Sequence, residues 1–321
     1  MQACIDLGSN SFHLLIGEWQ QGKIEIVERL SEKVQLGENV RQTGRISPAA
    51  FERGLACLRR FSHLMAQYPL QQYWALGTNT FRVTENADAF IASAGGIGIE
   101  ISVISGVQEA VLIYAGVITE LPSSDIHRLV VDIGGGTTEI AVMSLGGVVY
   151  SKSLRVAGDA LDQSIIAYMR KKMNLMIGDS TAEKIKKEIG TAIPSTNNTF
   201  LMKGRDIRSG TPKEIELTEK DACEALMPIL NQILGGIKEA LENTPPELSA
   251  DLIDMGLVLT GGGALLKNID KLISQDTGLP VTIADDPLSC VAIGTGRALE
   301  NEELDRKSTR LNSSHRCISY A

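Results

Sequence analysis

The sequence lacks paired cysteines, a surplus of basic residues and a long apolar run, and each absence excludes a class of protein. Its five cysteines form no C-x-x-C pair in 321 residues, which argues against a disulfide framework or a zinc site and favours reduced thiols in a cytoplasm. The formal net charge of −8 argues against a general nucleic-acid surface, because phosphate binding needs clustered Lys and Arg. No apolar run is long enough to span a bilayer and Asp6 interrupts the first residues, so we expect no signal peptide and at most a peripheral membrane association.

A Gly-rich turn follows a buried strand near the middle of the chain. The apolar residues 129–131 predict a strand that places Asp132 at its tip, where a carboxylate could hold a metal ion or water. Three glycines and a threonine follow, and backbone N–H groups without a neighbouring Cβ can approach an anion closely. The phosphate-binding residues predicted here are Gly134, Gly135, Gly136 and Thr137. Taken alone, an ordinary Gly-rich turn is the more frequent explanation of such a pattern.

The same pattern of strand, acidic residue and Gly-containing loop occurs near the start of the chain. A short apolar strand ends at Asp6 and is followed by a loop containing Gly8, Ser9 and Asn10, and then by a returning strand. This long-period duplication predicts two related half-domains. Two such hairpins that face each other across a cleft would hold one polyphosphate from both sides.

Between the two hairpins, a carboxylate stands in the first turn of a predicted helix. Ser105 and Gln108 have the spacing of a capping box, which places Glu109 just inside the helix. A carboxylate there is most often a surface residue that interacts favourably with the helix dipole. The competing interpretation is a base at the mouth of the cleft, because the helix lies between two strands of a predicted α/β layer.

Later segments complete the pattern. A third Gly-rich strand end, at residues 260–266, suits close approach to a purine or ribose, because glycines lack a Cβ. A highly charged helix ending at Gly190 is most simply a solvated face. Thr218 and Asp221 predict the start of a helix that runs to about Asn243. Residues 78–82 are predicted to form a polar loop, and residues 304–321 have neither periodicity nor caps and look like a non-native tail.

The three Gly-rich strand ends, in this order, resemble the two phosphate motifs and the adenosine motif of the actin-like ATPase superfamily. Residues from about 3 to 129 resemble the exopolyphosphatase/guanosine pentaphosphatase (Ppx/GppA) family at residues 6–13, 52–58, 77–82 and 104–110. Residues from about 131 to 300 resemble the bacterial rod-shape actin MreB at residues 132–147, 181–190, 245–248 and 257–270. The two resemblances meet at residues 131–135, which both families share.

These resemblances imply a role for each matching residue. Glu109 would be the base that activates water, and Asp6 and Asp132 would hold Mg²⁺. Glu139 occupies an acidic position of both motifs, as a further catalytic residue or as part of the hairpin. The phosphate or nucleotide would contact Asp6, Gly8, Ser9, Asn10, Gly134, Gly135, Gly136, Thr137, Lys186 or Lys187, Glu188, Gly261, Gly262 and Gly263. Gln108 and Val111 depart from the Ppx/GppA pattern, which has Glu and Arg there, and this weakens the case for polyphosphate binding.

We therefore expect an α/β fold with two actin-like (ribonuclease H-like) domains around a nucleotide or phosphate cleft. The expected domains are residues 1–130 and 131–303. The favoured function is a Mg²⁺-dependent phosphohydrolase that releases terminal phosphate from polyphosphate or a nucleotide. The alternatives are an MreB-like cytoskeletal protein that binds ATP and self-associates into dimers or filaments, and a chimeric reading frame with no single function.

Overall fold

The chain forms two five-stranded sheets, each covered by helices, in a computed structural model that describes residues 1–20, 23–117, 127–144 and 147–300. The predicted non-native tail, residues 304–321, lies outside the described residues. The strands are β1 (Gln2–Leu7), β2 (Ser11–Gln20), β3 (Lys23–Lys33), β4 (Gln72–Gly77), β5 (Ile101–Val103), β6 (Arg128–Ile133), β7 (Thr138–Ser144), β8 (Gly147–Leu154), β9 (Leu175–Met176), β10 (Thr199–Asp206), β11 (Pro212–Thr218), β12 (Leu257–Thr260) and β13 (Val281–Ile283).

Helices alternate with these strands. They are α1 (Val40–Thr43), α2 (Pro48–Met65), α3 (Asn79–Val83), α4 (Ala87–Gly95), α5 (Gly106–Val117), α6 (Gly158–Lys172), α7 (Asp179–Ile189), α8 (Glu219–Glu242), α9 (Pro246–Met255), α10 (Ile269–Thr277) and α11 (Cys290–Glu300). Among the described residues, no helix is both long enough and apolar enough to cross a membrane. The α/β class predicted from the sequence is confirmed.

The two five-stranded sheets repeat one topology. The first has the order β3-β2-β1-β4-β5 and the second the order β8-β7-β6-β12-β13. In each, the central strand pairs antiparallel with the strand that follows it and parallel with a strand that arrives after a crossover. The first half (residues 1–117) and the second half (residues 127–300) therefore share a strand plan, as the duplicated hairpins indicate. Among the described residues, a further three-stranded sheet occurs only in the second half, in the order β11-β10-β9.

Two helix starts follow directly from local sequence. Ser47 accepts a hydrogen bond from the backbone N–H of Ala50 and Pro48 occupies the first turn, so α2 begins where its cap predicts. Thr218 and Asp221 form a reciprocal capping box at the start of α8, which ends at Glu242. The helix predicted from Thr218 and Asp221 to about Asn243 is confirmed.

Residues 78–82 differ from the predicted polar loop, because most of them lie in the short helix α3. No side chain caps its start, so the sequence carries no helix signal there. Phe81 is 5% exposed and its ring lies edge-on to that of Phe90, with 5.6 Å between centroids. Tertiary packing of one aromatic ring thus overrides a polar local sequence.

Helices α5 and α11 cross between the two halves and press tightly together. A Cβ on Gly294 would lie 1.7 Å from the carbonyl oxygen of Leu112, and one on Gly116 would lie 2.1 Å from that of Cys290. Residues of α5 pack on the second sheet, whereas Ala292 and Ile293 of α11 pack on the first sheet. Each half is therefore covered on one face by a helix that crosses from the other, which ties the two halves together.

Candidate functional site

Two hairpins of the same construction lie at the ends of the central strands. The N–H of Gly8 donates to the carbonyl of Ser11 at 3.1 Å, and the N–H of Gly134 donates to that of Thr137 at 2.9 Å. Asp6 and Asp132 stand at the same place in the two ladders, one residue before the last pair of each hairpin. The sequence match between the two segments thus corresponds to a match in backbone structure.

The hairpins touch each other. A Cβ on Gly135 would lie 2.3 Å from the Cβ of Asn10, and one on Gly136 would lie 3.1 Å from the Cβ of Ser9. The Ser9 hydroxyl accepts a hydrogen bond from Thr80 at 2.8 Å. The predicted phosphate-binding residues of both halves are therefore brought to one place, and glycine is required where the second hairpin meets the first.

Four carboxyl groups converge beneath the hairpins. Burial raises the pKa of Asp6 well above its usual range, and the charges of Glu109 and Asp132 add to this shift. Burial raises the pKa of Asp132 to about 7, again with a contribution from Glu109. Burial and then Glu109 raise the pKa of Glu139 to about 8. The shifts show that these groups act on one another, as titratable groups in functional sites commonly do.

Glu109 lies in the first turn of α5, as the capping box predicts. The N–H of Ser105 donates to Gln108 Oε1 at 2.8 Å, and the N–H of Gln108 donates to Ser105 Oγ at 3.2 Å. Gln108, one departure from the Ppx/GppA pattern, thus completes the cap. Val111, the other departure, is 4% exposed within the apolar cluster between α5 and the second sheet. Glu109 itself is buried, so the interpretation as an exposed surface residue is wrong.

Arg82 is a basic residue of the site for which we predicted no role from the sequence. Its Nη1 lies 3.0 Å from Glu109 Oε2, and its Nη2 lies 3.8 Å from Glu139 Oε1. Burial raises the pKa of Glu109, and the Arg82 guanidinium opposes that shift. Ser153 donates to Glu139 Oε1 at 2.7 Å. Arg82 belongs to the motif at residues 77–82, and its membership of that motif was the one signal that could have identified it.

The third Gly-rich loop packs against the tip of β6. Gly261 has a φ of +78°, and a Cβ there would lie 2.1 Å from Asp132 Oδ1. A Cβ on Gly263 would lie 2.2 Å from Ile133 Cγ2, whereas Gly262 meets nothing closer than Leu288 at 3.5 Å. Contact with β6 therefore explains two of the three glycines without any ligand. Gly262 is the member of the loop with the most open surroundings.

The charged helix α7 faces the cleft with one side. Lys186 donates to the carbonyl of Gly158 at 3.0 Å and pairs with Asp162 at 2.8 Å. Glu183, three residues earlier and on the same helical face, forms an ion pair with Lys33 of the first half. The side chain of Glu188 is exposed on another side of the helix. Lys187 also forms an ion pair with Glu183, but its own side chain is 71% exposed. Thus α7 presents Lys186 and Glu183 inward, and not Glu188.

The ion pair between Lys33 and Glu183 could not be predicted from the sequence. The two residues are 150 positions apart and lie in segments that resemble different families. The inward position of Glu183 could have been found from its spacing to Lys186. The helix ends at Gly190 as predicted: Gly190 has a φ of −61°, and its N–H donates to carbonyl groups of the last turn. A Cβ on Gly190 would lie 2.1 Å from the carbonyl oxygen of Lys186, so close packing and not a positive φ requires glycine there.

The donor groups of the site suit Mg²⁺. Oδ1 atoms of Asp6, Asn10 and Asp132 are buried and accept no hydrogen bond within the described ranges. Where the structure describes the chain, no three acidic, His or Cys side chains are grouped closely enough to hold a metal by themselves. Mg²⁺ ordinarily binds one or two carboxylates together with water and substrate phosphates, so a ready-made protein cage is not needed.

Comparison with known proteins matches most of the chain to one family. The sequence model of the MreB/Mbl protein family matches residues 89–307. The cell shape-determining protein MreB of Pasteurella multocida is 46% identical over 209 residues, which are 63% of this chain and 60% of that protein. This chain therefore spans less than two thirds of the length of that relative.

Solved structures resemble the chain over nearly its whole length. MreB5 of Spiroplasma citri bound to ADP has a TM-score of 0.72 and 28% identity, covering 97% of this chain and 98% of its own. The Ppx/GppA family member of Aquifex aeolicus has a TM-score of 0.53 and 18% identity, covering 94% of this chain and 98% of its own. The second likeness is one of fold, so the comparisons favour the rod-shape actin interpretation over the exopolyphosphatase interpretation that the sequence analysis placed first.

Proposed function

The chain belongs to the MreB/Mbl family, and we propose that it binds an adenine nucleotide between its two hairpins, hydrolyses ATP and self-associates. The observation that carries this proposal is the contact of the hairpins around Asn10 and Gly135, directly above buried carboxylates. ADP occupies MreB5 of Spiroplasma citri, which has the same fold over almost the whole chain. An adenine nucleotide is accordingly the ligand that best suits the cleft.

The residues of the two hairpins would divide the phosphate contacts between them. Backbone N–H groups of Ser9 and Asn10 would donate from one side, and those of Gly135 and Gly136 from the other. Gly8 and Gly134 would lie beside the phosphates without donating, because their N–H groups close the two turns. Thr137 would add its hydroxyl. Such fixed donors stabilise the charge that moves onto phosphate oxygens as the terminal phosphoryl group is transferred, and they need no reorganisation when the reaction occurs.

Asp6 and Asp132 are the ligands that we assign to Mg²⁺. Bound there, the ion would neutralise charge on the phosphates during transfer. The two carboxylates lie at the tips of β1 and β6, one in each half, so a nucleotide complex would draw both halves together. Burial and then the charge of Glu109 raise the pKa values of both acids, and a bound cation would oppose these shifts.

Glu109 is the residue that we propose as general base. It accepts the proton of the attacking water, because it is the buried carboxylate at the start of α5 whose charge acts on both Asp6 and Asp132. Lys186 and Gly262 are the residues we assign to the nucleoside side of the cleft. Glu188 is exposed on another side of α7, and it keeps a contact to the nucleoside only if α7 turns when the ligand binds.

A direct test compares two substrates in one assay. Phosphate release is measured with Mg²⁺ and either ATP or long-chain polyphosphate, and binding is measured separately with a fluorescent ATP analogue. We expect ATP to bind and to be hydrolysed, and we expect Glu109→Gln to lower turnover about 100-fold or more while binding persists. Glu100→Gln, an exposed carboxylate before β5, is the matched control and keeps the wild-type rate.

Two outcomes of the substrate assay would contradict the proposed activity. Preferential release of phosphate from polyphosphate would restore the Ppx/GppA interpretation, and failure to bind either substrate would refute both. Self-association is tested by sedimentation with ATP, with ADP and without nucleotide. ATP-dependent pelleting supports a filament-forming protein, and an unchanged monomer with every nucleotide contradicts that part of the proposal.

A further inference from the structure

Arg82 lies outside the residues matched by the family model, which begin at residue 89, yet it contacts the proposed catalytic carboxylate. Its Nη1 donates to Glu109 Oε2 at 3.0 Å and to the carbonyl oxygen of Ile104 at 2.7 Å. Its Nη2 lies 3.8 Å from Glu139 Oε1. The guanidinium thus bridges the start of α5 and the second hairpin.

The backbone around Arg82 holds the side chain in this place. Helix α3 is anchored by Phe81, which packs against Phe90 in the core of the first half. The hydroxyl of Thr84 donates to the carbonyl of Thr80 at 2.9 Å and closes the end of this short helix. Because one guanidinium nitrogen contacts both Ile104 and Glu109, the position of α3 controls the position of the first turn of α5.

The charges explain why a cation is needed there. Asp6, Asp132, Glu109 and Glu139 share one buried region. Burial and then the charges of Glu109 and Asp132 raise the pKa values of Asp6 and Glu139. In the part of the chain that the structure describes, Arg82 is the only basic side chain that forms an ion pair with Glu109 or Glu139. A bridging guanidinium fixes a carboxylate in direction as well as in charge, because its donors lie in a rigid plane.

We propose that Arg82 is a positioning residue for hydrolysis, which orients the carboxylate of Glu109 toward the attacking water and acts through Glu109 alone. This inference rests on the proposed ATPase function and deepens it. Arg82, which lies outside the residues matched by the family model, would orient Glu109, which lies inside them. Misplacement of a reacting group by about 1 Å can lower a rate about 100-fold. Replacement of Arg82 should therefore lower the rate of turnover strongly and change the nucleotide affinity little.

The experiment measures ATP turnover and nucleotide affinity for five variants of the full chain. We expect Arg82→Gln to lower kcat about 100-fold and to change KM and the affinity for a fluorescent ATP analogue less than twofold. Arg82→Lys should recover part of kcat, because it restores the charge without the planar fork. In a Glu109→Gln background, Arg82→Gln should have no further effect. Arg45→Gln, which removes an exposed ion pair with Glu85 in the same half, should leave kcat unchanged.

Each contrary result overturns the inference in a recognisable way. A further loss of kcat from Arg82→Gln in the Glu109→Gln background would show that Arg82 acts independently of Glu109. A rise in KM with unchanged kcat would make it a phosphate-binding residue. Wild-type kcat in Arg82→Gln would refute the role of Arg82 while leaving the ATPase intact, whereas absence of turnover in the wild-type chain would refute both. If Arg82→Gln does not fold, the Arg82→Lys variant still tests the proposal. A wild-type kcat in that variant would show that the planar guanidinium of Arg82 is not needed to orient Glu109.

Discussion

Gly261 and Asp132 lie so close that a Cβ on the glycine would be 2.1 Å from Oδ1 of the aspartate. The two residues are at the ends of neighbouring parallel strands, β12 and β6. Gly261 has a φ of +78°, a left-handed conformation that side chains rarely adopt. The third Gly-rich loop thus rests directly on the acid that we assign to Mg²⁺, so the geometry of the loop and of the metal site depend on each other.

Gly261→Ala should therefore destabilise the protein and weaken nucleotide binding together. A strained φ alone costs about 1–2 kcal/mol. The clash with Asp132 adds to this cost and displaces the carboxylate. Gly210→Ala is the matched control, because Gly210 has a φ of +72° and no neighbouring atom within 4 Å of a Cβ. Urea unfolding and nucleotide titration measure both effects, and equal destabilisation by the two substitutions would contradict the proposed contact.

Asp132→Asn should make stability less dependent on pH. Burial raises the pKa of Asp132 to about 7 in the folded chain, from an ordinary value of 3.8. A raised carboxyl pKa means that folding favours the protonated form, so the penalty is absent below about pH 4 and complete above about pH 7. In metal-free buffer, the variant should gain on the order of 2 to 4 kcal/mol at pH 8 and almost nothing at pH 4.

Urea unfolding at these two pH values, with EDTA present, measures that difference. Glu100→Gln serves as the exposed control and should show no such dependence. A gain for Asp132→Asn of the same size at both pH values would show that packing, and not ionisation, is responsible.

The crossing of α5 and α11 can be tested with two helical glycines. Gly294→Ala would place a Cβ 1.7 Å from the carbonyl oxygen of Leu112, so the helices must separate, and we expect a loss of about 3 kcal/mol. Gly235→Ala in α8 meets nothing within 4 Å and should stabilise by about 0.5–1 kcal/mol, because alanine favours a helix. Thermal unfolding of both variants measures the contrast, and a shift of the same sign in both would contradict this packing.

The ion pair between Lys33 and Glu183 should influence nucleotide release. Burial acts to raise the pKa of Glu183, but hydrogen bonds from Lys33 and Lys187 outweigh it and lower the pKa to about 2. The pair joins the two halves, so Lys33→Glu should speed release of a fluorescent nucleotide by about two- to fivefold, as expected for a partly exposed pair worth 0.2–1 kcal/mol.

The charge swap Lys33→Glu with Glu183→Lys should restore the slower release measured by stopped flow. Lys172→Glu, which breaks an exposed pair with Glu224 inside the second half, is the control and should not change the rate. Release that is insensitive to Lys33→Glu at low salt would show that the pair does not restrain the cleft.

Local signals account for much of the fold. The caps at Ser47, Ser105 and Thr218 mark helix starts because each supplies a hydrogen bond that the first turn lacks. The duplicated Asp-Gly strand ends predicted two hairpins of one design, because such a turn closes through neighbouring residues. The short helix α3 was missed, because what holds it is the packing of Phe81 on Phe90 and not its own residues.

The sequence by itself determined the two hairpins, the Gly-rich loop and the placement of Glu109 at the start of a helix, because each depends on residues a few positions apart. Only the tertiary structure decided that Arg82 pairs with Glu109, that Lys33 pairs with Glu183, and that Gly261 rests on Asp132. These contacts join residues from 27 to 150 positions apart. Their partners are set by how two sheets and their crossing helices pack, which local propensity does not encode.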